Sequence, residues 1–392
     1  RGLGWVDTGD WTLAYPRTGF AFRSQSRNGW VYSWQQTPLV DQRTRVVGPG
    51  FAGSAVVYLG EHEMATTTAA GQRFRVIRPT ATTEPRTRAV LRTLARAGSQ
   101  LRVGARDERV NAFVGPRPLG GGGVTARGDA GAQDFWVAAR ERIHVPRNLW
   151  VHEYVHTRQN ASLGPRMTWF REASATYYAG LLSVRQGLDG RAGFERFLAR
   201  LHGNHSAAAV LADPSTWERP LAPYRRGERV LAALDARIRA ATDRNRTLQD
   251  VFRRINRFRG VVDYDDFVRM VGNVSGTDLS GWLDAHVAGN ERVDPPDRPT
   301  AYTAPALASD ADGDRLSERV ERRVGTHPFD PDTDGDGVPD PVEVALDSDP
   351  TDADSVPGIV SDLTRSGWWV PGVEAASDLP AIDAVTGDRV AW

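Results

Sequence analysis

The stretch His152-Glu153-Tyr154-Val155-His156 constrains this chain more than any other. It has the pattern HExxH. On an α-helix, residues four apart share a face, so His152 and His156 can offer two imidazole nitrogens to one metal ion. Glu153 is offset by one residue and does not crowd that position. From the side it can hold a water molecule and take its proton. A zinc ion held this way needs a third protein ligand and an open position.

A candidate third ligand lies downstream. The run from Met167 to Gly180 reads as a second helix, with Thr168 as its N-cap and Gly187 as its stop. Glu172 stands in its first turns among aromatic and small residues, where a lone carboxylate is costly unless paired or metal-bound. Asn160, Gly164 and Pro165 break the chain between the helices and allow a hairpin that returns Glu172 to the histidines. A plainer reading stands beside this one. HExxH also arises by chance, a histidine pair can be hydrogen-bonded core, and Glu172 can pair with an arginine.

Four segments follow one another over roughly residues 70–290: HEYVHT, WFREASATYYAGLLSVRQGL, APYRRGERVLAALDARIR and DYDDFVRMVGNVSGTDLSGWLDAHV. Together they resemble the catalytic domain of the glycyl aminopeptidase family and, more widely, the gluzincin metallopeptidases. The resemblance implies an α+β fold: an N-terminal β-domain, then a thermolysin-like catalytic domain with a mixed sheet and a helical subdomain. It implies zinc on His152, His156 and Glu172, with Glu153 as general base. It places Tyr224 where the family has a tyrosine that steadies an oxyanion, although an ordinary aromatic at a helix start fits the residue equally. The implied partner is a peptide or protein substrate and not a nucleic acid. In the aminopeptidase members, a Gly-rich edge strand carries an acid that grips the free α-amine. Here that place reads Gly123-Val124-Thr125-Ala126, with Asp129 and Asp134 nearby but out of register. The loop between the two helices is also shorter than in the family. Strict aminopeptidase activity is therefore not expected.

At 392 residues the chain is too long for one core, so two or three domains are expected. It has no run of eighteen apolar residues, which excludes a helical membrane span, and no cysteine, which excludes disulfides, thiolate metal sites and cysteine nucleophiles. It begins at Arg1 without a signal-like apolar stretch, which reads as a removed signal or a trimmed start. All 49 basic residues are arginine. Residues 308–354 hold 15 acids against four arginines, a net of −11, so the remainder carries a net of +11. A basic body with an acidic extension suggests separate roles.

Residues 1–75 read as a β-rich domain in short aromatic and β-branched runs. Trp5, Trp11, Trp30 and Trp34 suit core or interface packing better than a ligand platform. Residues 76–290 read as the catalytic domain, with helices over 84–98, 189–203, 224–241, 247–257 and 263–271 and a strand over 109–114. Four sequons, at Asn160, Asn204, Asn245 and Asn273, permit glycosylation in a secreted chain. Residues 291–308 read as a Pro/Ala linker.

Residues 309–357 contain an internal repeat at an offset of 22. Asp310, Asp312 and Asp314 align with Asp332, Asp334 and Asp336, Glu318 with Asp340, and Glu321 with Glu343. Acids at loop positions 1, 3, 5, 9 and 12 have calcium-loop spacing, because alternate residues of a tight loop turn inward and the last Glu can bind through both oxygens. Asp330, just ahead of the second copy, is counted with them. Gly337 stands at the sharp turn of the second copy and Arg315 at that of the first. The segment resembles thrombospondin type-3 calcium repeats. A solvated acidic linker is the alternative, which the repeat phase disfavours. Calcium is scarce in the cytosol, so the expected setting is extracellular, secreted or cell-surface. Residues 358–392, with Trp368 and Trp369, read as a tail. The overall expectation is a secreted zinc peptidase with a calcium-stiffened extension. Its rival is a non-enzymatic, calcium-binding surface or scaffold protein with a peptidase-like fold.

Overall fold

Short strands punctuated by glycine open the chain. In the computed structural model, β1 (Val6–Asp7), β2 (Thr12–Ala14), β5 (Gly50–Ala52) and β6 (Val57–Leu59) form an antiparallel sheet in the order β1-β2-β6-β5, while β3 (Phe20–Ser26) and β4 (Gly29–Gln35) pair as a hairpin. The structure describes residues 6–14, 20–26, 29–35, 44–117, 119, 122–127, 132–188, 190–203, 209–217, 221–302, 310, 312, 314, 316–346 and 348–355. Trp5, Asp129, Asn204, Arg315, the later part of the Pro/Ala linker and the tail lie outside them, as do the side chains of Trp30 and Trp34. Trp11 is core, buried and stacked on Tyr58 at 6.3 Å between ring centroids.

The chain divides into two units, residues 1–143 with 149–160, and residues 144–148 with 161–392. The first holds a five-stranded sheet of β7 (His62–Ala69), β8 (Gln72–Pro79), β9 (Arg109–Gly115), β10 (Gly123–Arg127) and β11 (Ala132–Ala138), in the order β10-β11-β9-β8-β7. β8, β9 and β11 run parallel, and the two edge strands run antiparallel to their neighbours. Central parallel strands are covered on both faces and need near-continuous apolar runs. Val110, Ala112, Phe113 and Val114 of β9 supply one, each at most 1% exposed. The boundary expected after residue 75 falls inside β8, which pairs with β7 on one side and β9 on the other. The five-stranded sheet starts at His62. Its helices are α1 (Thr87–Gln100) and α2 (Leu149–Thr157). Tyr154 of α2 lies 5.6 Å from Phe74 of β8 between ring centroids, and its hydroxyl donates to Gln72 Oε1 at 2.7 Å.

The second unit is helical. It holds α3 (Trp169–Val184), α4 (Gly190–His202), a π-helical turn (Pro223–Gly227) running into α5 (Glu228–Ala241), α6 (Leu248–Arg257) and α7 (Tyr264–Ser275). The short α8 (Ser280–Leu283) and then α9 (Glu318–Val324) and α10 (Asp340–Leu346) follow. A two-stranded pairing of β12 (Ser162–Leu163) with β13 (Val261–Val262) joins distant loops. α3 is buried nearly all round, as a central helix must be. Trp169 and Phe170 pack on Phe267 at 5.9 Å each, and Phe170 on Phe252 at 5.3 Å. Reciprocal capping boxes start α6 (Thr247 with Asp250) and α7 (Asp263 with Asp266).

Thr168 does not cap α3. It already has helical backbone angles, and its hydroxyl donates to the Pro165 carbonyl at 3.1 Å. A 3₁₀ turn over Pro165–Met167 leads into the helix instead. Gly187 does end it, with φ at +64° and its N–H on the Val184 carbonyl at 2.9 Å.

Candidate metal centre

HExxH lies on α2, which has no charge besides Glu153 and histidine along its length. His152 and Glu153 are buried and His156 is half-buried. The Nε2 atoms of His152 and His156 stand 3.1 Å apart. The other nitrogen of His156, Nδ1, meets Gln159 Oε1 at 2.9 Å. That oxygen can only accept, which puts the His156 proton on Nδ1 and a lone pair on Nε2. A lone pair at that distance from a second imidazole nitrogen calls for a proton or a cation between them. The donor set therefore fits zinc, which takes neutral imidazole nitrogens oriented by a partner on the far ring atom.

Glu153 meets the edge strand β10. Thr125 Oγ1 lies 2.7 Å from Glu153 Oε2 and 3.0 Å from the Glu153 carbonyl oxygen. A β-carbon on Gly123 would stand 2.8 Å from Glu153 Cγ, closer than side chains tolerate. Neither Thr125 nor Gln159 was singled out as a support of the metal motif in the sequence. Gln159 carried a weak signal, three residues past His156 on the same helix end. Thr125 carried none, because only the strand pairing brings it there.

Glu172 lies in the first turn of α3, half-buried, with its carbonyl accepting from Thr176 at 2.8 Å. The π-helical turn packs beside it: a β-carbon on Gly227 would fall 2.5 Å from Ala173 Cβ, so only glycine allows this approach. Tyr224 is half-buried on that turn. His152 and His156 thus offer two imidazole nitrogens from the first unit, and Glu172 a carboxylate from the second.

Asp134 is not available as an amine anchor. It is fully buried, and its carboxylate accepts from the backbone of Ala55 at 2.6 Å and Val56 at 2.8 Å and from Asn111 Nδ2 at 2.8 Å. Its work is to pin residues 53–56 to the sheet.

Two acidic groups lie in the second unit. Asp310, Asp312 and Asp314 bring one oxygen each within 4.8 Å, and so do Asp332, Asp334 and Asp336. The repeat is visible bond for bond. The Asp314 N–H donates to Asp312 at 3.2 Å and the Leu316 N–H to Asp314 at 2.7 Å, and Asp336 and Val338 repeat these distances on Asp334 and Asp336. Gly335 and Gly337 have positive φ, as the tight second loop requires. Glu318, Glu321, Asp330, Asp340 and Glu343 fall outside the two triplets. Asp330 accepts from the Arg191 N–H at 3.2 Å, and both oxygens of Asp340 accept from Thr333 at 2.7 Å. Glu321 is fully buried, and neither of its oxygens has a hydrogen-bond partner. Burial, then Asp312 and Asp314, push its carboxyl up to about 10. Burial and neighbouring acids likewise lift Asp312 to about 7 and Asp314 to about 8, and burial first lifts Glu343 to about 7. Burial lifts Asp340 to about 6 against its bonds from Thr333. Carboxylates so placed fit a divalent cation with oxygen ligands.

No family model and no curated protein matches the chain. Solved structures do. An aminopeptidase N family protein from Idiomarina loihiensis superposes with a TM-score of 0.51 at 15% identity, over 72% of this chain and 54% of that one. The shared property is the fold, a gluzincin-like α+β domain. An M1 zinc metallopeptidase from Deinococcus radiodurans gives 0.47 at 19% identity over 73% of this chain and 63% of that one. Legionella pneumophila aminopeptidase A, in complex with aspartic acid, gives 0.44 at 13% over 72% and 38%. The chain spans about half the length of the Idiomarina protein. Among the described residues, no helix is long and apolar enough to cross a membrane.

Proposed function

We propose that this chain is a secreted or cell-surface zinc metallopeptidase of gluzincin type, with a calcium-binding extension. The observation that carries it is the HExxH pair on α2: the Nε2 atoms of His152 and His156 stand 3.1 Å apart, with His156 Nδ1 on Gln159 Oε1 at 2.9 Å. His152, His156 and Glu172 would hold the zinc. When bound, zinc supplies the Lewis acidity that polarises a peptide carbonyl and makes a water acidic enough to attack at neutral pH. The chain's own residues do the rest. Glu153 accepts the proton of the attacking water and hands it to the leaving amine. Gln159 keeps the His156 proton on Nδ1, leaving Nε2 as the ligand atom. Tyr224 donates a hydrogen bond to the developing oxyanion.

β10 is an edge strand, bonded on one side to β11, so its free side can receive an extended substrate as an added strand. Its residues Gly123–Arg127 include no acid, and Asp134 is committed to Ala55, Val56 and Asn111. Holding a terminal ammonium requires a carboxylate in reach. The substrate is therefore a peptide whose cleavage does not depend on a free N-terminus.

In the extension, Asp310, Asp312, Asp314, Glu318 and Glu321 hold one calcium ion, and Asp332, Asp334, Asp336, Asp340 and Glu343 a second. What supports this is the pair of aspartate triplets and the partnerless carboxylate of Glu321. Calcium at extracellular concentration keeps such sites filled, which is the reason for the extracellular setting.

The test is digestion of a peptide library by the zinc-loaded protein, with and without a zinc chelator. Chelator-sensitive cleavage at internal bonds is expected. A protein that binds zinc and calcium but leaves every peptide intact is a scaffold and not an enzyme.

A further inference from the structure

Strand β10 does more than offer an edge. We infer that it sets the position of Glu153, with Thr125 as a positioning residue and Gly123 as the space that lets the carboxylate reach it. This rests on Glu153 being the base of the proposed reaction.

A glutamate side chain has three rotatable bonds, so a base that must meet one water needs restraint. Thr125 Oγ1 has one proton and two acceptors in reach, the Glu153 carboxylate at 2.7 Å and the Glu153 carbonyl at 3.0 Å. Bonds to a charged oxygen are shorter and stronger than bonds to a neutral carbonyl, so the proton goes to Oε2. A single hydroxyl thus touches both ends of the residue: it donates to the carboxylate and lies against the backbone of α2. Threonine also loses less freedom here than a longer donor, since its χ1 is stiff in a strand.

Gly123 completes the arrangement. It precedes Thr125 by two residues and so presents the same strand face. A β-carbon there would come within 2.8 Å of Glu153 Cγ, 2.9 Å of Oε1 and 2.9 Å of the Trp136 carbonyl. The glutamate is the flexible partner and would have to move, while the Trp136 carbonyl, being backbone, independently resists a side chain at 123. The strand therefore holds Glu153 by a donor at 125 and by a wall at 123. The hydroxyl leaves Oε1 free of this bond, so one carboxylate oxygen is oriented while the other can face a water.

The test is Thr125→Val, which keeps the shape and the strand propensity and removes the proton. Thr125→Ser restores the donor, and Gly123→Ala fills the wall. In Thr125→Val, kcat is expected to fall about 10- to 100-fold, the range that one hydrogen bond to a charged group is worth, with KM and zinc content unchanged. Thr125→Ser recovers most of the loss. Crystal structures of the three variants report geometry without any turnover: the Glu153 carboxylate is expected to leave its place in Thr125→Val and Gly123→Ala and to keep it in Thr125→Ser. A Thr125→Val protein with parental kcat, or with its Glu153 carboxylate unmoved, overturns the inference. If the parent cleaves nothing, the peptidase reading fails, and the crystal comparison alone decides whether β10 positions Glu153.

Discussion

The α-carbon of Asp312 lies 3.4 Å from where a β-carbon on Gly187 would stand. The first acidic loop is thus packed on the turn that ends α3, the helix that carries Glu172 at its other end. Other contacts fasten the same region. Arg185 Nε donates to the Tyr302 carbonyl at 2.7 Å, and Phe194 of α4 stacks on Phe329 at 5.6 Å. The acidic segment is built onto α3 and α4 and does not trail behind them as a linker.

Calcium removal should therefore be felt beyond the loops. With EGTA, residues 309–354 should become open to proteolysis, and the melting temperature of the second unit should fall. Clustered carboxylates repel without the cation, and ligand loss lowers stability by mass action. Zinc should stay bound. Limited proteolysis with mass spectrometry reads the outcome, and equal resistance with and without calcium would count against ordered loops.

Glu321→Gln should change stability in opposite directions in the two conditions. In EGTA the variant should melt higher than the parent near neutral pH, since Glu321, its carboxyl pushed up to about 10, must take up a proton to stay buried without the cation, and the neutral amide is spared that cost. In calcium it should melt lower, having lost a ligand. Each kcal/mol moves the midpoint by about 2–4 °C in a domain of this size. Thermal melts in both buffers check the sign, and shifts in the same direction would mean that Glu321 does not face a cation.

Asp235→Ala should be strongly destabilising whatever the metal content. Asp235 is buried and accepts from Tyr177 Oη at 2.7 Å, Arg239 Nε at 3.0 Å and the Leu248 N–H at 2.7 Å. Its removal breaks the buried ion pair with Arg239, at a cost of about 3–5 kcal/mol. Urea denaturation measures this, and a loss below about 1 kcal/mol would show the network to be dispensable.

Peptides offered as matched pairs, one with a free N-terminal amine and one acetylated, should be cleaved at similar rates. The described residues of β10 include no carboxylate, and Asp134 is spent on the 53–56 turn. Hydrolysis of the free-amine peptide alone would point to an anchor elsewhere, with Asp129 the next residue to replace.

What could be read from the residues was local in origin. The spacing of His152 and His156 is a property of the helix, and the 22-residue repeat is a property of the loop, so both were visible without coordinates. The helices after α3 were legible because their apolar stripes and their capping residues lie within a few positions of one another. The rest depended on distant partners. Asp134 meets Ala55 from 79 residues away, so its role as a pin has no local signature. β7 and the start of β8 read as part of a first β-domain because the pairing of β8 with β9 is long-range. Thr168 has the chemistry of a cap, but the 3₁₀ turn before it carries the chain into α3 with the backbone already helical. Thr125 seemed to mark only a missing acid, because nothing in the strand says that α2 delivers Glu153 to it.

The most direct test is the turnover of Glu153→Gln set against its zinc content. The amide keeps the size of the side chain and can still receive the Thr125 proton, but it cannot take a proton from water. The variant should bind one zinc per chain, as the parent does, and cleave about 10²- to 10⁴-fold more slowly. Cleavage at the parental rate with zinc in place would contradict the assignment of Glu153 as the base, and with it the proposed peptidase mechanism.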